Sequence, residues 1–279
     1  MYKLPIDQIV DKAVNWFTIT FADGLDAFSE GFSSFINGFH SILSFLPWWS
    51  IILIFSILSW KAKGWKLSVG SAAGLFLIYN LRLWPSFLDT LVLVLISALV
   101  SIVIGIPLGI LAGRKNKSHR IITPVLDFMQ TMPSFVYLIP ALMFFGLGTV
   151  PAVFATVIFA MPPVIRLTDL GIRQVPADLV EVGEAFGSTP QQLLFKIQLP
   201  VALPTIMAGI NQTMMLSLSM VVIAAMIGAG GFGAGVLQAI SQIKIGLGFE
   251  NGVAVVIMAI ILDRLTQGIG SSLGTKDIS

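Results

Sequence analysis

The chain has 279 residues, of which 56% are hydrophobic and only 11% charged, with a mean hydropathy of +0.93 and a formal net charge of +2. That composition excludes a soluble globular protein, and so small a net charge, with no Lys/Arg cluster interleaved with aromatics, excludes a nucleic-acid partner. Without cysteine there are no disulfides, thiolate metal sites or cysteine nucleophiles, and two isolated histidines, His40 and His119, give no basis for a zinc or iron centre.

Residues 1–46 hold Asp7, Asp11, Asp23, Asp26 and Glu30 against Lys3 and Lys12. Val14, Phe17, Phe21, Leu25, Phe28, Phe32, Phe35, Phe39 and Ile42 recur every three or four residues, opposite Asn15, Asp26, Ser29, Ser33 and Asn37. This spacing predicts an amphipathic helix lying in the interface or against the bundle, with a tilted eighth span as the alternative. No basic leader precedes it, so no signal peptide is expected. The next region, 47–84, has two short apolar runs, 47–60 and 67–83, on either side of KAKGWK, and is expected to form a peripheral transmembrane hairpin.

Runs of about 20 apolar residues, enough to cross a bilayer as a helix, follow at 86–112, 124–146, 148–165, 203–228 and 252–270. The fold class expected is an all-α, polytopic membrane helical bundle of about seven spans. Lys61, Lys63 and Lys66, the string RKNKSHR at 114–120, Arg166, Arg173, Lys196, Arg264 and Lys276 fall in alternate connections, which places those connections and the tail, 271–279, in the cytoplasm. Lys3, Lys12, Arg82 and Lys244 are left outside.

The connection 166–202 is unusually long for a compact bundle, at about 35 residues, and contains EVGEAFGSTPQQLLFKIQLP. Pro176 and Asp178 suit a helix start; Leu179, Val182, Ala185 and Phe186 have helical spacing; Gly187 suits a C-terminal stop. Ser188, Thr189 and Pro190 then offer a cap and first turn for a second short helix, expected to end before Leu199-Pro200. Two short helices meeting at Gly187 form a bracket outside the membrane.

This stretch resembles the EAA loop of binding-protein-dependent ABC importer permeases: Glu181, Gly187, Ile197, Leu199 and Pro200 stand at that pattern's offsets, with Val182 and Gly183 in place of its two alanines. PVLDFMQTMPSFVYLIPALMFFGLG, FAMPPVIRLTDLGIRQVP and GINQTMMLSLSMVVIAAMIGAGGFG extend the resemblance over roughly 85–270, toward permeases of the glycine betaine and proline betaine osmoprotectant group. The resemblance implies a type I ABC importer-like permease core over 85–270 in a bacterial plasma membrane, a transport subunit that is not itself an enzyme. It further implies an ABC-type ATPase subunit gripping Glu181, Glu184, Ala185, Gly187, Ile197, Leu199 and Pro200, an extracellular substrate-binding protein, and a second copy of the chain. Importers of choline, carnitine or an amino acid, and a secondary transporter or osmolyte channel, are the alternatives.

No G-x-x-x-x-G-K-[ST] phosphate loop occurs, so ATP and magnesium are expected in the partner ATPase and no cofactor in this chain. The glycine cluster IGAGGFGAG, 227–235, is read as an external turn or gate. Intramembrane charge is costly, and Asp89, Asp127 and Asp263 beside Arg264 sit near helix ends, where a proton-coupled carrier would need them deeper. The helices over 124–146 and 203–228 are expected to build the translocation path. Asn211, Gln212, Thr213, Ser217 and Ser219 bring it polarity, and Met132, Met214, Met215 and Met220 deformable walls. Phe135 and Tyr137 supply π faces for a methylated ammonium group. The same polar residues also suit helix-to-helix hydrogen bonding.

Overall fold

The computed structural model describes residues 6–274, which form fourteen α-helices and no strand. The tail residues 275–279, with Lys276, and the first five residues, with Lys3, lie outside the described part. In chain order the helices are α1 (Ile6–Thr20), α2 (Ala22–Phe45), α3 (Trp48–Lys63), α4 (Trp65–Asn80), α5 (Trp84–Arg114), α6 (Asn116–Thr131) and α7 (Leu138–Phe145). There follow α8 (Thr149–Ala160), α9 (Pro162–Arg173), α10 (Ala177–Ala185), α11 (Pro190–Leu193), α12 (Leu199–Ala224), α13 (Phe232–Gln242) and α14 (Ile245–Gly274).

Among the described residues four stretches are long and apolar enough to span a bilayer: Trp84–Arg114, Thr149–Arg173, Pro190–Ile227 and Ile245–Gly268. Two bent pairs, α2 with α3 at 96° and α6 with the segment to Phe145 at 107°, raise the number to at most six. The sequence count of about seven differs from this only in taking both arms of the α3–α4 hairpin as separate spans. Helices α3 and α4 have 16 residues each, roughly 24 Å at 1.5 Å per residue, short of a hydrocarbon core of about 30 Å. They turn at Gly64, whose φ of +87° suits glycine, and are joined inside by Ser59 and Ser71, whose Oγ atoms lie 2.8 Å apart.

The N-terminal helix is two helices, broken at Phe21. Ile36 of α2 is buried, Ser29 and Ser33 face partly inward, and Phe28, Phe35 and Ile42 point out. The outward face also carries Asp23, Asp26, Glu30 and Asn37, while Phe32 and Phe39 pack inward against the core, so α2 is amphipathic along its length. Exposed Trp60, Val69, Phe76, Leu99 and Val103 give the bundle an apolar exterior.

The centre is α9 packed between α5 and α12. Gly105, Gly109 and Gly113 of α5, one every four residues, line one face and lie against Val164, Thr168 and Ile172 of α9. A Cβ at Gly109 would stand 2.5 Å from Thr168 Cβ and 2.7 Å from the Ile165 carbonyl oxygen. Across α9 the same device recurs: Gly171 meets Ala202 and Thr205 of α12, and Gly209 of α12 meets Leu167 and the Val164 backbone. In lipid, where apolar burial between helices gives little drive, such small residues let backbones approach and gain dispersion contact.

Overpacking that seam costs about 1–3 kcal/mol. Gly109→Ala is therefore expected to lower the thermal unfolding temperature of the detergent-solubilised protein. Gly24→Ala, at a helical glycine with nothing within 4 Å, should leave it unchanged or slightly raised.

Candidate coupling site and transport face

Helix α9 runs on to Arg173, so the connection to α12 is shorter than the sequence implied and is helical for most of its length. Helix α10 ends where Gly187, at φ +77°, turns the chain, and the Gly187 N–H donates to the Glu184 carbonyl at 2.9 Å. Thr189 then caps α11 in a reciprocal box: its hydroxyl accepts from the Gln192 N–H, and the Gln192 side chain accepts from the Thr189 N–H at 2.8 Å.

The expected stop at Leu199-Pro200 is not one. Leu194–Gln198 form a π-helical turn that runs straight into α12, with Pro200 in its first turn. Proline has no N–H for the carbonyl four residues back, and a widened turn lets the chain pass that gap without leaving the helical path. The bracket is thus joined to α12 without a break.

The bracket's inner side is built by Gly183, Leu193, Leu194 and Ile197. Gly183 is buried, and a Cβ there would lie 2.6 Å from Ile197 Cδ1 and 2.9 Å from Leu193 Cδ1, so the glycine draws α10 close to the second arm. The outer side carries the apolar spacing seen in the sequence. Leu179, Val182 and Phe186 are exposed, Phe186 to 87%, and Phe195 to 66%. Glu181, Glu184, Ala185 and Gly187 lie on this open side, whereas Ile197, Leu199 and Pro200 are half-buried at the root of α12. A cavity of about 280 Å³ bordered by Arg114, Ile172, Glu184 and Pro190 separates the bracket from the end of α5.

Sequence reasoning missed what mounts the bracket. Asp169 of α9 is 7% exposed and accepts from Arg173 Nε at 2.8 Å, and its other oxygen lies 2.7 Å from His119 Nδ1. Arg173 also donates to the Ala112 carbonyl at 2.8 Å, covering an end carbonyl of α5, and to Asn116 Oδ1 at 2.9 Å. Asp169 and Arg173 stand four residues apart on a helix, which was the signal available in the sequence.

Helix α12 shows one open stripe: Val201, Pro204, Ala208, Gln212, Met215 and Ser219. Of the sequence candidates, Met215 and Ser219 lie on it and Thr213 is fully buried. Asn211 is engaged with α14, donating to Asp263 Oδ1 at 3.0 Å and accepting from Thr266. Asp263 also accepts from Gln267 at 2.7 Å, while Arg264 stands off at 3.9 Å, so amides rather than the neighbouring arginine satisfy it. On the bent span, Phe135 is exposed, Met132 half-buried and Tyr137 buried. The Tyr137 hydroxyl donates to the Met129 carbonyl, which Pro133 cannot serve for want of an N–H. The other flagged acids are met too: Asp89 by His40 at 3.1 Å and Asp127 by Arg166 at 2.5 Å.

At the opposite end, the glycine cluster is a turn between α12 and α13. Gly228 and Gly231 have positive φ, and Phe232 N–H donates to Thr90 Oγ1 at 2.9 Å.

Residues 105–271 match the family described as binding-protein-dependent transport system inner membrane component. The chain belongs to that family. Over 267 residues, 96% of the chain, it is 52% identical to the glycine betaine transport system permease protein OpuAB of Bacillus subtilis, of which it covers 95%. It is 48% identical over 267 residues to the glycine betaine/proline betaine transport system permease protein ProW of Escherichia coli, with 96% of this chain and 75% of that protein covered. The inward-facing MetNI methionine ABC transporter shares the fold, with a TM-score of 0.64 at 22% identity, over 68% of this chain and 95% of that one. The protein is therefore a multi-pass permease subunit with the type I ABC importer fold, a transport component of a system that uses a binding protein and an ATPase.

The permease should tolerate Gly187→Asp as a folded protein, because that site has nothing within 4 Å and the cost of a side chain at positive φ is about 1–2 kcal/mol. It should nevertheless lose transport, since the charge and the strained turn fall on the open bracket. Membrane abundance at the wild-type level with uptake abolished is the expected pair of results.

Proposed function

We propose that this permease moves glycine betaine and related quaternary amines inward across the bacterial plasma membrane by alternating access, driven by ATPase subunits that dock on the 174–198 bracket in the cytoplasm. One observation carries the reading: a chain whose relatives are named as glycine betaine permeases presents an ordered, apolar bracket, Leu179, Val182, Phe186 and Phe195, outside its spans. Such a surface suits a protein partner. ATP and magnesium belong to that partner, and Glu181 and Glu184 frame the contact.

The orientation follows the basic residues. Arg114, Arg173 and Lys196 lie at the bracket end, and Lys63, which donates to Gln267 at 2.6 Å, ties the KAKGWK turn to the C-terminal part of α14. That is the end the positive-inside rule places in the cytoplasm.

The open stripe of α12, with Gln212, Met215 and Ser219, faces the translocation path, opposite the same stripe of a second copy. A polar amide on an outward face of a span is costly against lipid and unremarkable against a water-filled path. Together with Phe135 it offers a methylated ammonium weak polar contacts and a π face, without a fixed counter-charge. Met132, Tyr137, Asn211 and Thr213 support that wall from behind. Solute choice rests mainly with the extracellular binding protein.

The test is uptake of labelled glycine betaine by the permease reconstituted with its ATPase and binding protein. ATP-dependent accumulation, competed by proline betaine and not by amino acids, is expected. Uptake that runs without ATP, or that prefers an unrelated solute, contradicts the proposal.

A further inference from the structure

Helix α6 is fastened to the bundle mainly by polar contacts. Leu126 is its one buried residue among those described, while Ile121, Val125 and Phe128 are open. Three ties hold it to α9. Arg173 Nη1 donates to Asn116 Oδ1 at 2.9 Å, His119 Nδ1 lies 2.7 Å from Asp169 Oδ2, and Arg166 Nη2 donates to Asp127 Oδ1 at 2.5 Å. The α6 partners run 116, 119, 127 as the α9 partners run 173, 169, 166, an antiparallel ladder along facing helices.

The ladder's two sides lead to different places. Helix α9 continues into the bracket. Helix α6 leads, through the bend at Met132-Pro133, to the segment bearing Phe135 and Tyr137. Arg173 adds the end of α5 through the Ala112 carbonyl, and Arg114 reaches the Pro190 carbonyl of the bracket at 3.4 Å.

We propose that Asn116, His119 and Asp127, with Arg173, Asp169 and Arg166, are positioning residues that hand displacement of the bracket to the bent span, so that ATPase closure changes the tilt of α6. The inference rests on the functional reading above. Apolar packing between helices can slide, because its contacts are interchangeable and undirected. Charged hydrogen bonds fix register, and three of them in line make α6 follow α9 as one body. The tie between Arg166 and Asp127 tests this idea, because a single reversal breaks the ion pair whereas exchanging both charges keeps a pair at the same place. A merely structural role lowers the amount of assembled complex when that pair is broken, whereas a transmitting role lowers the solute moved per ATP hydrolysed in the complex that does assemble.

The experiment measures glycine betaine moved per ATP hydrolysed in proteoliposomes of the full complex, for Asp127→Arg, Arg166→Asp and the double reversal. Each single reversal is expected to keep its ATPase subunit and its ATP hydrolysis but to lower the transport-to-hydrolysis ratio about tenfold, and the double to restore most of it, as coupled neighbours do in a double-mutant cycle. If a reversal does not assemble, Asp127→Asn and Arg166→Gln carry the same prediction of a lowered ratio. Single variants with the wild-type ratio overturn the inference, as does a parallel fall of hydrolysis and uptake that the double reversal leaves in place. Wild-type vesicles that hydrolyse ATP and move no solute overturn the functional reading and the inference together.

Discussion

Close backbone approach around α9 is the constraint on which the rest of the permease depends. Gly105, Gly109 and Gly113 bring α5 onto one side of it, and Gly171 and Gly209 bring α12 onto another. Lipid is as apolar as a leucine side chain, so helices inside a bilayer gain little from hiding apolar surface and must gain from dispersion at short range. The consequence for function is mechanical. The bracket grows from the end of α9 and returns into α12, so both of its stems are locked to each other and to α5. The bracket is thus seated on the packed base of α5, α9 and α12.

The polar groups complete that arrangement. Asp169 and Arg173 join the ends of α5, α6 and α9 at the root of the bracket, and Asp127 with Arg166 extends the connection along α6. Asn211, Asp263, Thr266 and Gln267 tie α12 to α14, and Lys63 brings in the α3–α4 hairpin. Each of these carboxylates has a hydrogen-bond donor or a cation at hand, as a buried or lipid-adjacent charge requires. The open stripe of α12 keeps the Gln212 amide at its surface, while the Ser219 hydroxyl turns back to the Met215 carbonyl at 2.9 Å.

Much of this was legible in the sequence. Hydropathy gave the membrane class, and Pro176, Gly187, Thr189 and Pro190 announced the bracket because each serves a local backbone rule that acts within one turn. What was not legible required knowledge of neighbours. Helices α3 and α4 read as two separate spans because composition does not reveal that each is 16 residues long or that α2 and α3 meet at a 96° bend. Leu199-Pro200 read as a stop because proline usually ends a helix, and no local residue pattern marks the π turn over Leu194–Gln198 that carries the chain past it. Gly183 stands where the pattern has an alanine and is the point where the two arms of the bracket meet. Thr213 and Ser219 are equally polar on paper, yet six residues of helical rotation put one in the core and the other on the open stripe. The α6 to α9 ladder joins residues 39 to 57 positions apart, beyond the reach of any local pattern.

The central claim is that the 174–198 bracket is where the ATPase grips this chain. Because the sequence has no cysteine, a single Phe186→Cys carrying a short photoreactive label marks the bracket's most exposed aromatic position without background. Irradiated in membranes that import glycine betaine, the label should join the permease covalently to an ATP-binding subunit, and the same label at Ile243→Cys, near the opposite end, should not. An adduct with the ATPase from Ile243 and none from Phe186 would contradict the account.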